Sequence, residues 1–478
     1  MVAVDLGSSA VVVAVACRTD EGKIELKALV SEPVQGVNAG RIDNIESVSQ
    51  VLETALAEAG NRADIRITEA YAGISGSFLR CARLTDFVYV ADPQNGISQS
   101  DVSSLYDRMR NIQAPADEVI MERIAQQYLI DDEQQVTSPI GSFGQKLAST
   151  FNFLLCLKTP IQRLELALKR VGVHLVGAIP NPLAVADAVL TPDEKEEGVA
   201  VIDIGAGVTD VTVYYGNVVR YVASIPMGAS AINQDIRTMG VPERYVELLK
   251  VKHGSAVADR VSQDLKLQIR GRTPRESKDI MLRNLATVIE ARAMDIIDYV
   301  KEELKLSGYA DKLTYGLVLT GGSARLKDLD ELFRRETNLD VRVATPEAAL
   351  CEASQPLAAD PACATVIGLL LRGKGVSYVQ GRDPRTVTTT TTVPPSEPKQ
   401  PAAPVQRPEP PKPPVPPQPP VVPDEEEPDD RDKSDEDFDD PLDDDMPKKE
   451  GKGGFWGKVG DVLRKTTDWF ESPGDDEI

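Results

Sequence analysis

Histidine is nearly missing: 478 residues contain two, His174 and His253. A zinc site or a histidine-based triad has almost no raw material here. Cysteine is sparse as well. Cys17, Cys81, Cys156, Cys351 and Cys363 stand far apart, with no C-x-x-C pair. Their odd number and spacing argue against a disulfide framework and for reduced core thiols in a cytosolic protein. Positive charge is in deficit. The net charge is −22, so phosphate backbones are repelled and general nucleic-acid binding is excluded. No apolar run reaches the eighteen or so residues that a membrane-spanning helix needs. The start, MVAVDLGSSA, puts Asp5 where a signal peptide needs basic residues and then an apolar stretch, so secretion is not expected.

What is present is enough for several domains: 41% of residues are hydrophobic and 27% charged. Three regions separate by composition. Residues 1 to about 375 alternate strand-like and helix-like patterns. Residues 381–450 run from GRDPRTVTTTTTV through the proline-rich PKQPAAPVQRPEPPKPPVPPQPPVVP into DEEEPDDRDKSDEDFDD. Between Asp424 and Asp445 fifteen acidic residues face only Arg431 and Lys433. Such a stretch has too little apolar mass to offset its ordering entropy and reads as a disordered linker. Residues 453–470 regain a pattern. Phe455, Trp456, Val459, Val462, Leu463, Thr466, Trp469 and Phe470 recur at helical spacing and form one apolar stripe.

The first region contains an internal echo. Val2-Ala3-Val4-Asp5-Leu6-Gly7-Ser8-Ser9 leads into the strand Ala10–Cys17, a turn at Thr19–Gly22 and a strand Lys23–Val30. Val199-Ala200-Val201-Ile202-Asp203-Ile204-Gly205-Ala206-Gly207 leads into the strand Val208–Tyr215, a turn at Gly216-Asn217 and a strand Val218–Ile225. A buried strand, an aspartate, a glycine turn and a returning strand, seen twice, predict a duplicated α/β domain around a cleft. Glycine turns at strand ends let backbone approach a ligand, and their N–H groups form anion-binding nests. Ser8, Ser9 and Thr209 add hydroxyl donors. Two such turns clamp a polyphosphate from both sides. Asp5 and Asp203 then lie beside the phosphates, which makes sense with hydrated Mg²⁺ held through water between them. A third element is the strand Gly316–Thr320, followed by Gly321-Gly322-Ser323-Ala324-Arg325-Leu326, which opens a predicted helix Lys327–Arg335. A glycine pair there admits a phosphate or a flat nucleoside.

VAVDLGSS, VAVIDIGAGVTDVTVY and LVLTGGSARL resemble the two phosphate loops and the adenosine loop of the actin and sugar-kinase superfamily of ATPases. Within it, the resemblance is to the FtsA family of bacterial cell-division proteins. It extends to Lys250-Val251-Lys252-His253-Gly254, Gly271-Arg272-Thr273-Pro274-Arg275, Val288-Ile289-Glu290-Ala291-Arg292 and the segment Gln126–Leu147. It implies an actin-like, ribonuclease H-like fold of duplicated α/β domains with a family-specific inserted subdomain. The layout it implies has a first lobe of residues 1–82 and 160–196 and an inserted subdomain of residues 83–159. The second lobe comprises residues 197–226 and 311–375, with a partner-binding subdomain of residues 227–310. The linker 381–450 and the amphipathic helix 453–470 complete it.

For function, the resemblance implies an ATP- and Mg-binding scaffold with at most slow hydrolysis. Asp5, Gly7, Ser8 and Ser9 match the first phosphate loop; Asp203, Gly205, Gly207, Val208 and Thr209 match the second. Gly321, Gly322 and Ser323 match the adenosine loop. Glu247 and Lys250 match a pair that closes over adenine and ribose, a spacing that also describes an ordinary surface pair. Asp187 falls near the position that orients the attacking water; a helix-surface acid is the equal alternative. One departure is Ala10, where most of the family carries lysine beside the phosphates, which removes electrostatic help for phosphoryl transfer. In addition, relatives usually have several more residues before the first strand.

By the same resemblance the chain polymerises and binds the C-terminal peptide of the tubulin-like protein FtsZ. It meets the anionic cytoplasmic membrane surface through its terminal helix and recruits other division proteins. The tail residues fit that role. Both tryptophans of the chain, Trp456 and Trp469, sit there, and Phe455, Val459, Val462, Leu463 and Phe470 complete the stripe. A small-molecule kinase or a chaperone-like or pilus-assembly ATPase of the same superfamily is the competing expectation.

Overall fold

The computed structural model describes residues 1–270 and 277–373. The linker 381–450, the helix 453–470 with all seven of its expected membrane residues, and the Gly271–Arg275 motif lie outside the described residues, Gly271–Arg275 wholly so.

Two five-stranded sheets dominate, and they share one strand order. In the first, Ile24–Pro33, Ala10–Arg18 and Val2–Leu6 form an antiparallel meander, to which Glu69–Ile74 and then His174–Pro180 add in parallel. In the second, Val218–Ile225, Thr209–Tyr215 and Val199–Ile204 form the meander, and Leu317–Thr320 and Val341–Val343 add in parallel. The central strand of each copy is almost wholly apolar because both of its faces are covered, as parallel pairing demands. The Gly216-Asn217 turn has positive φ at both residues, the geometry whose twist matches a two-residue hairpin.

Helices cover the sheets according to their apolar spacing. Ile45–Ala63 buries Val48, Leu52, Ala55, Leu56 and Ala59 against the first sheet. Leu282–Ser307 buries Leu285, Ile289, Ala293, Ile296, Val300 and Leu304, and stops at Gly308 in the left-handed region. Asn181–Val189 and Ala364–Arg372 pack on each other, in one core that takes side chains from both sheets. A Cβ at Gly368 would lie 2.0 Å from the Ala184 carbonyl oxygen, so glycine is what lets these helices touch.

A separate four-stranded antiparallel sheet, ordered Leu79–Tyr89, Lys146–Leu157, Glu118–Ile130 and Gln134–Val136, carries the helix Gln99–Arg110 on one face. That helix starts with a reciprocal Ser98–Asp101 capping box. Beyond the second sheet, the helices Ala229–Thr238 and Glu243–His253, the hairpin Lys266–Arg270/Ser277–Met281 and the start of Leu282–Ser307 enclose a core of their own.

Two expectations change. The glycine pair opens a short 3₁₀ turn, Gly322–Arg325, and the α-helix begins only at Leu329 and runs to Thr337. Asp328 breaks the path with φ +62°, its carboxylate engaged by Ser255 and Arg260. The cysteines are all free, but only Cys156 is a core thiol; Cys17 is exposed.

Candidate functional site

The two Asp-glycine turns close in the same way. Gly7 N–H donates to the Ala10 carbonyl at 3.0 Å, and Gly205 N–H to the Val208 carbonyl at 2.9 Å. They meet across the cleft. A Cβ on Gly207 would stand 2.4 Å from Ser8 Oγ, so only glycine fits where the second turn faces the first. Ser8 Oγ also accepts from Gly40 N–H. The Thr209 hydroxyl, expected to face phosphate, is fully buried and donates to the Met227 carbonyl at 2.8 Å.

Asp5 and Asp203 sit at the ends of their strands with a third acid, Asp210. In the sheet register Asp203 lies directly opposite Asp210, whereas Asp5 lies opposite Val12. Burial, and then the Asp210 charge, push the Asp5 carboxyl up to about 7. Burial, then Asp210 and Asp5, push Asp203 up to about 8. Asp210 rises to about 6 through burial, held back by hydrogen bonds from Ser224 and Ser75. Ser75, just after a strand of the first sheet, donates to Asp210 of the second at 2.6 Å and so bridges the lobes. Thr365 Oγ1 donates to Asp203 at 3.3 Å. Burial is the main cause at all three, the neighbouring acids add to it at Asp5 and Asp203, and a cation between those two would offset that repulsion. Among the described residues no group of three His, Cys, Asp or Glu side chains is placed to hold a metal ion.

On the other side of the second turn lies a cavity of about 220 Å³. Its lining includes Ser9, Ala206, Ser230, Asn233, Glu247, Lys250, Gly322, Ser323 and Arg325, above an apolar wall of Ile204, Ile232, Val251, Leu326 and Phe333. The helix Ala229–Thr238 is anchored to the turn: Ala229 N–H donates to the Gly205 carbonyl and Ser230 N–H to that of Ala206. Ser323 Oγ ties the adenosine-type loop to the same Gly205 carbonyl at 3.0 Å. Gly321, with φ +84°, packs so close that a Cβ would lie 2.1 Å from Asp203 Oδ1. Lys250 is largely buried and donates to Glu247 Oε2 at 2.7 Å. The expected residues Ser9, Glu247, Lys250, Gly322 and Ser323 thus share one cavity.

Asp187 is not among that lining. It pairs with Lys195 at 2.9 Å and Arg372 at 2.7 Å, on the helix Asn181–Val189. It lies six residues past Asn181, about 9 Å further along the axis. Asn181, at the start of that helix, is the residue that bonds Asp5. Its Oδ1 is buried without a partner among the described residues.

Asp210, Ser75, Asn181 and Asn233 are site residues that the sequence reading missed. Asp210 had a signal: aligning the two copies sets it against Val12, an acid in place of a half-buried valine. The two asparagines had none.

The two mirrored sheets, with helices between them and a cleft closed by paired glycine turns, define an actin-like fold. Among solved structures, the PilM–PilN type IV pilus biogenesis complex aligns with a TM-score of 0.54 at 16% identity. The alignment covers 78% of this chain and 97% of that one, a likeness of fold. A family model described as cell division protein FtsA matches residues 200–368, and one described as the SHS2 domain inserted in FtsA matches residues 76–155. The cell division protein FtsA of Pseudomonas aeruginosa is 30% identical over 374 residues, 78% of this chain and 89% of that protein. The FtsA of Neisseria meningitidis serogroup B is 31% identical over 345 residues, 72% of this chain and 83% of that protein. The chain belongs to the FtsA family of cell-division proteins.

Proposed function

We propose that this chain is an ATP-binding division scaffold that polymerises and holds a tubulin-like FtsZ filament at the inner face of the cytoplasmic membrane. The observation that carries the nucleotide part is the contact between mirrored turns, Ser8 against Gly207, with the buried Asp203 and Asp210 and the half-buried Asp5 at the ends of the neighbouring strands. Backbone N–H groups of the two turns cradle the phosphates, and Glu247 and Lys250 take the ribose side. Asp5 and Asp203 hold Mg²⁺ through water; the ion supplies the positive charge that lets buried acids and phosphates coexist. ATP favours the closed, filament-competent form, a population shift rather than product formation. Ala10 beside the first turn leaves no lysine there to speed hydrolysis.

The membrane part rests on the aromatic stripe Phe455–Phe470. Among the described residues no helix is long and apolar enough to cross a membrane. One short amphipathic helix binds weakly, so polymerisation raises attachment through many tails at once. The FtsZ peptide is expected on the second-lobe subdomain, roughly residues 227–310. Titration with Mg-ATP by calorimetry tests the nucleotide reading; no heat from folded protein removes it. Co-sedimentation with anionic liposomes, with and without residues 453–478, tests the tail; equal binding by both chains removes that part.

A further inference from the structure

Asp328 stands just behind the cavity, and its backbone takes a form that an aspartate keeps only under constraint. Its φ is +62°, in the left-handed region, which glycine enters freely and other residues at a cost. It also precedes the helix Leu329–Thr337, where an aspartate ordinarily keeps an extended backbone and caps the first turn with its carboxylate. Here the carboxylate makes no cap hydrogen bond to that helix. It turns instead to the Ser255 hydroxyl at 2.7 Å and to Arg260 Nη1 at 2.9 Å. Beside it, Ala256 N–H donates to the Lys327 carbonyl at 2.8 Å. Arg260 has a second partner in Glu331, at 3.2 Å. A strained backbone and a forfeited cap persist only where the surroundings fix them, and such outliers gather at functional sites.

This clasp joins the two walls of the cavity. Residues 255–260 follow the helix Glu243–His253, which brings Glu247 and Lys250 to one side. Asp328 links the loop that carries Gly322, Ser323 and Leu326 to the helix that carries Leu329 and Phe333, and these form the other side. Leu326 packs into both neighbouring cores, that of the second sheet and that of the subdomain beyond it. The chain bends at Asp328, so its φ sets where Leu326 stands relative to Leu329.

We propose that Asp328 is a positioning residue for the nucleoside: Ser255 and Arg260, acting on its carboxylate, hold it in the left-handed conformation and so fix the wall of Leu326 and Leu329 against Glu247 and Lys250. This rests on the nucleotide reading of the cavity given above. Asp328 is not itself among the cavity lining and takes no part in phosphoryl chemistry. What counts is the backbone shape and not the charge, so glycine, which takes that shape unaided, can stand in for the whole clasp.

The test measures Mg-ATP affinity by calorimetry in the full chain and its variants, with thermal melting to check folding. Asp328→Ala keeps a side chain that resists the left-handed region and loses both partners, so affinity is expected to fall about tenfold. Asp328→Gly is expected to bind within about threefold of the wild type. Ser255→Ala and Arg260→Gln are expected to weaken binding about three- to tenfold in the wild-type background and to have no effect in the Asp328→Gly background. Glu331→Gln, which spares the clasp, is expected to change affinity less than about twofold. Without nucleotide, amide hydrogen exchange at Leu326 and Leu329 is expected to rise in Asp328→Ala and not in Asp328→Gly. An Asp328→Gly variant as weak as Asp328→Ala overturns the assignment, because the backbone shape is then not what counts. Unchanged affinity in a folded Asp328→Ala variant overturns it too, as does Arg260→Gln weakening binding equally in both backgrounds. Failure of the folded wild type to bind Mg-ATP defeats the nucleotide reading, and the nucleoside role with it, while the exchange pattern still decides whether the clasp holds the loop.

Discussion

The first and second meanders share strand order, turn geometry and a leading aspartate, yet they are not equivalent. Opposite Asp5 stands Val12; opposite Asp203 stands Asp210. At the third residue of the turn the first copy has Ser9, exposed, and the second has Gly207, pressed against Ser8. The first copy thus keeps an ordinary apolar interior and an open turn. The second has gathered the extra acid, the tight contact and the neighbouring cavity. Duplication supplied the frame, and the asymmetry between copies supplies the site.

The sharpest way to break this comparison is to give the second turn a side chain. Gly207→Val places bulk against Ser8, so the turns cannot meet. Nucleotide affinity by calorimetry is expected to fall about a hundredfold or more, as a misplaced clamp loses its pre-organisation. Ser9→Val, at the matching exposed position of the first copy, removes a hydroxyl from the cavity wall and is expected to cost less, about tenfold at most. Equal losses would show that the Ser8–Gly207 contact does not control closure.

The next effect concerns charge. Asp5, Asp203 and Asp210 are raised in the folded protein, so the fold holds protons that the unfolded chain releases from about pH 4 upward. Stability without nucleotide is therefore full below the unfolded value and falls as pH rises towards 8. The melting temperature is expected to drop on the order of 5 °C between pH 5 and 8. Asp210→Asn removes the acid that the first copy lacks and should flatten that slope; an unaltered slope would mean that the three acids do not titrate together. The smallest effect is expected at Asp187. Asp187→Asn weakens the pairs with Lys195 and Arg372, costs roughly 1 kcal/mol in denaturant unfolding, and leaves nucleotide affinity within about twofold. A loss of ATP hydrolysis in a stable Asp187→Asn variant would favour the catalytic reading of that residue over the surface ion pair.

The repeated Asp-glycine pattern made the meanders legible before any coordinates, because buried strands and glycine turns leave strong local marks. Gly216-Asn217 is legible for the same reason: its residues tolerate the backbone that the turn demands. The delayed start of Leu329–Thr337 was not, since it depends on Ser255 and Arg260 reaching Asp328 from distant parts of the chain. Asn233 was illegible on a helix where an asparagine reads as a surface residue. Only the approach of Glu247 from the neighbouring helix gives it a meaning. At Asp187 the two readings, a water-orienting acid and a helix-surface acid, look alike in sequence, because Lys195 and Arg372, which pair with it, come from elsewhere in the chain.

Gly368 lies on the Ala184 carbonyl without room for one more methyl group. Any side chain at that position would have to wedge the two helices apart, and with them the core that takes side chains from both sheets. One hydrogen atom in place of a side chain thus sets how closely the two central helices lie.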